Sequence, residues 1–498
     1  MRKRIGSLLL ILALCFTLLP TAAFAAEEDF NVANGGSSVK PTTGNGFTAQ
    51  VYEITGDNVD IDVSGTTSHS RIVVMGDGVT LHLNNASMIL NERNGSPIEI
   101  AENKSVTIIF TGENKLTADA GGPGILVNQG ATLTIKEAEN TSANSLTVTG
   151  AQKDNYIGGG DITASQGGGF AGIGGPNHGN DGPYDYTGTI KIESGIVNAY
   201  GFGYGAGIGG GFGAIPKDTL IGGNGTVTIS GGTITEASGG YMAAGIGSGY
   251  QGLGTVTIEG DAVIKNAQGG EAGAGIGRGT YGDSEIIIRG DAVIENAESS
   301  GNGAGIGSGQ GDLYPDGDGM VIDPTVGNVT IEGNAKIENA KSGYGGSGIG
   351  GGTIGIGNVI IRGNAQIGNA TGGEEGAGIG GGALGTGDVS IEGNVTIENA
   401  QGGAGAAGIG GGAALAVLVE QDILGQLELV IQLIQRAQQD ADAVLIQKGH
   451  FLGVRKLNAG GVAQHPVAVQ CGHQRVERFQ PLVGLRLCFR RSRAVGTL

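Results

Sequence analysis

A four-residue string, Ala-Gly-Ile-Gly, begins at Ala171, Ala206, Ala244, Ala274, Ala304, Ala377 and Ala407, and returns as Ser-Gly-Ile-Gly at Ser347. Successive starts are 35, 38, 30, 30, 43, 30 and 30 residues apart. A period near thirty marks stacked supersecondary units, each unable to bury its apolar face alone. The stretch from Thr255 to Gly279 shows what is stacked. It holds three short apolar runs, Val256-Thr257-Ile258, Ala262-Val263-Ile264 and Ala274-Gly275-Ile276. The first alternates with period two, as a strand with one buried face does. Glycine, often followed by Asp or Asn, separates the runs and supplies the positive φ that sharp corners need. No run is long enough for a helix, and with 104 Gly in the chain a helix is disfavoured. The expected fold is all-β, a parallel β-helix (β-solenoid) of about thirty-residue coils with three short strands per coil. Equivalent strands of neighbouring coils then lie about 4.8 Å apart.

Columns of like residues fix the expected register. Ile173, Ile208, Ile246, Ile276, Ile306, Ile349, Ile379 and Ile409 form one interior ladder. Asn198, Asn266, Asn296, Asn339, Asn369 and Asn399 each precede a tetrad by eight residues, with Glu236 breaking the series. Stacked Asn at a corner tolerates left-handed backbone and bonds its neighbours above and below. An outward column reads Glu259, Arg289, Glu332, Arg362, Glu392. It is expected to be a surface ladder of ion pairs. Glu259 and Glu332 would lie about 9.6 Å apart, an inverting-glycosidase separation, but Arg289 sits between them on a flat face.

Glycine follows no strict triplet, which excludes collagen. Between Ala26 and Gly412 there is no cysteine, so stability must come from stacking rather than disulfides. That stretch holds 41 acidic against 15 basic residues. Nucleic acid needs clustered positive charge, so it is not an expected partner. The N-terminus reads Arg2-Lys3-Arg4, an apolar run from Ile5 to Leu19, then Ala23-Phe24-Ala25. This is the pattern of a secretory signal, with cleavage expected after Ala25. The run is short and no stop-transfer pattern follows, so no transmembrane segment is expected in the mature chain. The expected location is extracellular or on the cell surface.

The expected organisation is a signal peptide over 1–25, a flexible lead over 26–50, irregular capping coils over 51–150 and regular coils over 151–412. Gly124-Ile125-Leu126-Val127 reads as a degenerate tetrad in the irregular part. Residues 413–498 are atypical, with 11 Gln, 10 basic against 6 acidic residues, and Cys471 and Cys488. Two readings of this tail stay open. One is out-of-frame translation, leaving little order beyond a chance helix. The other is a helical cap, with Ile423, Leu427, Val430, Ile434, Ala437 and Ala441 as an apolar stripe. The first expects a helix at about 415–447, and the second expects the stripe to lie on the last coil near Ile409.

The strings Thr132-Leu133-Thr134-Ile135 and Ser145-Leu146-Thr147-Val148-Thr149-Gly150, followed by repeated Ala-Gly-Ile-Gly-Gly and Val-Thr-Ile-x-Gly, carry a resemblance. Over roughly 51–412 the chain resembles secreted Firmicutes-type β-helix surface proteins of the carbohydrate-binding-domain-like group. The resemblance implies a parallel β-helix and, for some relatives, binding of acidic plant polysaccharide with calcium. It carries over no site residue.

Chemistry is expected where coils lengthen. Extra residues follow the tetrads at Ala171, Ala206 and Ala304, all at one corner, and insertions at equivalent positions project from one side. The first offers Asn177, His178, Asp181, Tyr184, Asp185 and Tyr186, and the next loop of that coil adds Tyr200, Phe202 and Tyr204. Rings beside amides and carboxylates suit sugar faces. The third insertion offers Asp312, Asp316, Asp318 and Asp323 around glycine, hard oxygen ligands of the kind calcium takes. The function expected is binding of an acidic polysaccharide or cell-wall glycan, with calcium as the one candidate cofactor. The alternatives are an adhesin or structural spacer, and a polysaccharide lyase or hydrolase. No clustered Asp with a basic partner recurs on adjacent coils, so the reading leans away from an enzyme.

Overall fold

In the computed structural model, the described residues are 28–31, 41–42, 50–90, 95–119, 121–139, 144–151, 169–175, 187–212, 225–281, 283–316, 319–413, 444–447, 450–453 and 488–489. Short strands wind into two long sheets, one of 22 strands and one of 13. The first and second strands of each coil share the larger sheet. In one central coil these are Gly254–Ile258, Val263–Ile264 and Ala267–Gly269, and the third strand is Ile276–Gly277. The third strands run from Gln50–Ile54 through Ser70–Val74, Ile98–Ile100 and Ile125–Val127 into the tetrads and on to Ile409–Gly410. Each pairs with the next in parallel, whereas Pro41–Thr42 meets Gln50–Ile54 antiparallel. The protein is a parallel β-helix.

The repeat columns register as the sequence implies. Ile125 pairs with Ile173, so the degenerate tetrad is a true member of the ladder. Each tetrad isoleucine pairs with the next, and all are fully buried from Ile173 to Ile379. Ile409 departs from the expected ladder at 42% exposed, because no described coil follows to cover it. Amide bonds link Asn339 to Asn296 and Asn369 to Asn339, both within 3.1 Å, and Asn266 donates to both carboxylate oxygens of Glu236. The break at Glu236 is thus a substitution that keeps the ladder bonded.

The core is a narrow seam of Ile, Val and Ala in the tetrad coils, widened by Leu81, Leu83, Phe110 and Leu116 in the earlier ones. Glycine sets the coil spacing. At Gly277, φ is 135°, and a Cβ there would fall 1.9 Å from the carbonyl oxygen of Gly307. No side chain fits between backbones this close.

The tail differs from its expectation. Val444–Gln447 is a strand antiparallel to His450–Gly453, so the helix expected to about residue 447 does not extend there. Residues 414–443, with the stripe from Ile423 to Ala441, lie outside the described residues. Cys488–Phe489 pairs in parallel with Val321 and Ile322.

Candidate functional site

From residue 201 on, the corner between the second and third strands has constant length, whereas in the preceding coil it runs from Gly150 to Ala171, with 152–168 outside the described residues. Its loops span 201–206, 239–244, 269–274, 299–304, 342–347, 372–377 and 402–407, each ending on the first residue of a tetrad. Backbone bonds tie each loop to the next coil's. Gly240 N–H donates to Gly205 O at 2.9 Å, Ala272 N–H to Tyr241 O at 3.2 Å, and Tyr344 N–H to Gly301 O at 2.7 Å. From residue 201 on, each loop is held in step by these backbone bonds.

At this corner a groove of about 470 Å³ crosses successive coils. Glycines form its floor. Tyr200, Phe202 and Tyr241 supply rings, and Ser238, Gln268, Glu271 and Ser300 supply polar groups. Strand register puts Tyr200, Ser238 and Gln268 in one outward column. Burial, with Glu236 nearby, raises the Tyr200 pKa. Burial and the Glu271 carboxylate beside it raise that of Tyr241. Both phenols therefore stay protonated as donors through neutral pH. Among the described residues, no lysine or arginine lines the groove.

Of the rings expected from the sequence, Tyr200 and Phe202 meet in this groove, but Tyr204 turns away. Its ring packs 5.1 Å from Phe212 and 5.1 Å from Tyr250, and Phe212 stacks on Tyr250 at 5.6 Å. Tyr281 closes the row edge-on to Tyr250 at 5.7 Å. These rings cover one another, so the row is a stacking ladder in which Tyr204, from the loop before the third strand, joins Phe212, Tyr250 and Tyr281, from the corner after it. Burial, then Tyr281, Tyr204 and Asp312, raise the Tyr250 pKa strongly. The sequence reading missed Phe212, Tyr250 and Tyr241. Phe212 and Tyr250 each sit six residues after the alanine of a tetrad, an offset that could have revealed them.

Beneath this row lies Arg278, fully buried at a position that is Ser248 and Ser308 in the adjacent coils. Its guanidinium donates to the carbonyls of Asp283 and Tyr281. Burial lowers its pKa to about 9, partly offset by Asp283. The residue pins the loop that presents Tyr281, which itself holds a left-handed φ of 62°.

The lengthened corner is described only in part. Asn177, His178, Asp181, Tyr184, Asp185 and Tyr186 lie outside the described residues. The segment expected as a calcium loop is a β-hairpin, Asp312–Asp316 against Gly319–Asp323. Asp312 stands opposite Asp323, and Asp316 lies four residues along, roughly 13 Å away. Asp312 accepts its neighbour Leu313 N–H at 2.8 Å and raises the Tyr281 pKa after burial. Asp318 lies outside the described residues. Among the described residues, no three His, Cys, Asp or Glu side chains are grouped to hold a metal.

The outward charge column forms as expected in two places. Arg289 Nε donates to Glu259 Oε2 and Arg362 Nε to Glu332 Oε2, each at 2.7 Å.

A family model described as a beta helix repeat matches residues 190–212 and 227–250. Those two segments contain Tyr200, Phe202 and Tyr241. No curated protein and no solved structure matches the chain. Among the described residues, no helix is long and apolar enough to cross a membrane.

Proposed function

We propose that this β-helix is a secreted or cell-surface protein that binds a glycan chain along its axis. The observation that carries the reading is the groove itself, with rings and short polar side chains over a glycine floor on consecutive coils. Rings offer apolar faces to sugar C–H groups, and hydroxyls, an amide and a carboxylate meet sugar hydroxyls. The signal-like N-terminus supports export. Charge decides the class of glycan. Glu271 lines the groove and Glu236 lies beside Tyr200, with no lining cation among the described residues to oppose them. An acidic chain, expected from the sequence, would be repelled here unless calcium bridged it. A neutral chain needs no bridge, and neutral glycan is the reading adopted. Among the described residues a single carboxylate, Glu271, lines the groove, where glycoside hydrolysis uses a pair, and binding is the reading adopted.

Calorimetry on the full chain tests this with neutral xylan, mannan and glucan oligosaccharides, and with polygalacturonate, each with calcium or chelator. Neutral oligosaccharides should bind regardless of calcium, and Tyr241→Ala should weaken them about tenfold. Binding of polygalacturonate alone, and only in calcium, would restore the acidic reading. No binding at all would leave the adhesin or spacer reading, and release of reducing or unsaturated ends would establish an enzyme.

A further inference from the structure

The third position of the constant-length loops reads, coil by coil, Gly203, Tyr241, Glu271, Gly301, Tyr344, Glu374 and Ala404. The pair Tyr241 then Glu271 thus recurs as Tyr344 then Glu374. The first pair lines the groove, which runs on to Ser300. The second pair lies beyond the groove's end, on the same edge. Backbone bonds keep the loops in step, with Asn302 N–H donating to Glu271 O, Tyr344 N–H to Gly301 O and Gly373 N–H to Gly346 O. Tyr344 therefore follows Tyr241 at three coil steps, about 14 Å along the axis.

Tyr344 is 58% exposed, the most exposed of the large hydrophobic side chains among the described residues. It stacks on no described ring, unlike the Tyr204, Phe212, Tyr250 and Tyr281 row. A ring this open contributes little to coil stability, since stabilisation follows the area removed from water. Between the two tyrosines the same position is held by Glu271 and then Gly301, against which the Glu271 side chain lies.

We propose that Tyr344 and Glu374 form a second subsite that engages the same neutral glycan chain as the Tyr241 groove, with the chain lying along the axis. The inference rests on the glycan reading above. A chain long enough to reach both subsites gains from the second as an intramolecular contact, whereas a short one fills only the first.

Calorimetry on the full chain with a neutral disaccharide and octasaccharide of one linkage series (xylo-, manno- or cello-oligosaccharides) reads this out. Tyr344→Ala should weaken the octasaccharide about tenfold and leave the disaccharide unchanged. Tyr241→Ala should weaken both, and Tyr344→Trp should hold or improve octasaccharide binding. Unchanged octasaccharide affinity in Tyr344→Ala, with Tyr241→Ala still impaired, overturns the second subsite and leaves the first standing. Failure of the unaltered chain to bind any of these sugars overturns both.

Discussion

The coil carrying Ile276 and the last described coil, carrying Ile409, have the same tetrad and nearly the same strands, yet they differ as structures. Ile276 is fully buried, and Ile409 is 42% exposed. Val256 and Ile258 are sealed in the central coil, while Ile391, which matches Ile258, is 44% exposed. The fold of each coil is the same, and only the number of covering neighbours differs. A coil of this β-helix therefore has no core of its own. Burial arises between coils, as repeat architectures with nearest-neighbour coupling require.

The sharpest test of that contrast uses glycine. Gly277→Ala puts a Cβ 1.9 Å from Gly307 O at a φ of 135°, which should force two coils apart. A loss of roughly 4 kcal/mol is expected in denaturant unfolding. At Gly410 the nearest atom to such a Cβ is the Ala407 side chain at 3.5 Å, so only backbone strain remains. Gly410→Ala should cost about 1 kcal/mol. Equal losses would mean that coil contact is not what these glycines serve.

Next in size is the isoleucine ladder. Ile276→Ala removes a side chain packed from both sides, for about 3 kcal/mol. Ile409→Ala should cost less than about 1 kcal/mol, because half its contacts are already missing. A large effect at Ile409 would show that another segment covers the last described coil.

Alkaline pH should separate the regions in a third way. The Tyr250 pKa is raised above its ordinary 10.0, chiefly by burial. An acid whose pKa rises on folding stabilises the fold fully below its unfolded value, and that contribution is lost as pH climbs past it. Stability should thus fall above pH 10, and Tyr250→Phe should flatten the fall measured by circular dichroism. The matching position six residues after Ala407 is Ala413, so the last coil carries no such dependence. A Tyr250→Phe chain with an unchanged alkaline profile would count against burial as the cause.

The smallest effect belongs to the outward charges. Arg289→Ala breaks the exposed pair with Glu259 and should cost about 0.5 kcal/mol, less in high salt. Glu392→Ala should be near neutral, since Arg362 bonds Glu332 instead. Double-mutant cycles measure both, and a pair worth several kcal/mol would refute the surface-ladder reading.

Much of the fold could be read before any coordinates. The tetrad spacing implied the coil, and the isoleucine, Asn and charge columns implied its register, because in a stacked repeat sequence offset is position. The candidate site was less legible. Insertions drew attention to the corner after the third strand, whereas the groove lies at the corner before it, whose length is constant from residue 201 on. Tyr241 and Tyr344 looked unremarkable in the sequence because neither stands in a distinctive run.

The sequence alone determined the strand pattern, the corner glycines and which residues repeat, since these follow from local sterics and period. Only the tertiary structure decided that Tyr200 and Phe202 face a groove while Tyr204, two residues on, joins a ring stack. It also decided that Asp312 belongs to a hairpin strand beside Tyr281 and that Ile409 is half open. The physical reason is the same in each case. Which way a corner side chain points, and how much of it is covered, depends on loops of adjacent coils some thirty residues away in sequence, joined by backbone bonds that no single repeat contains.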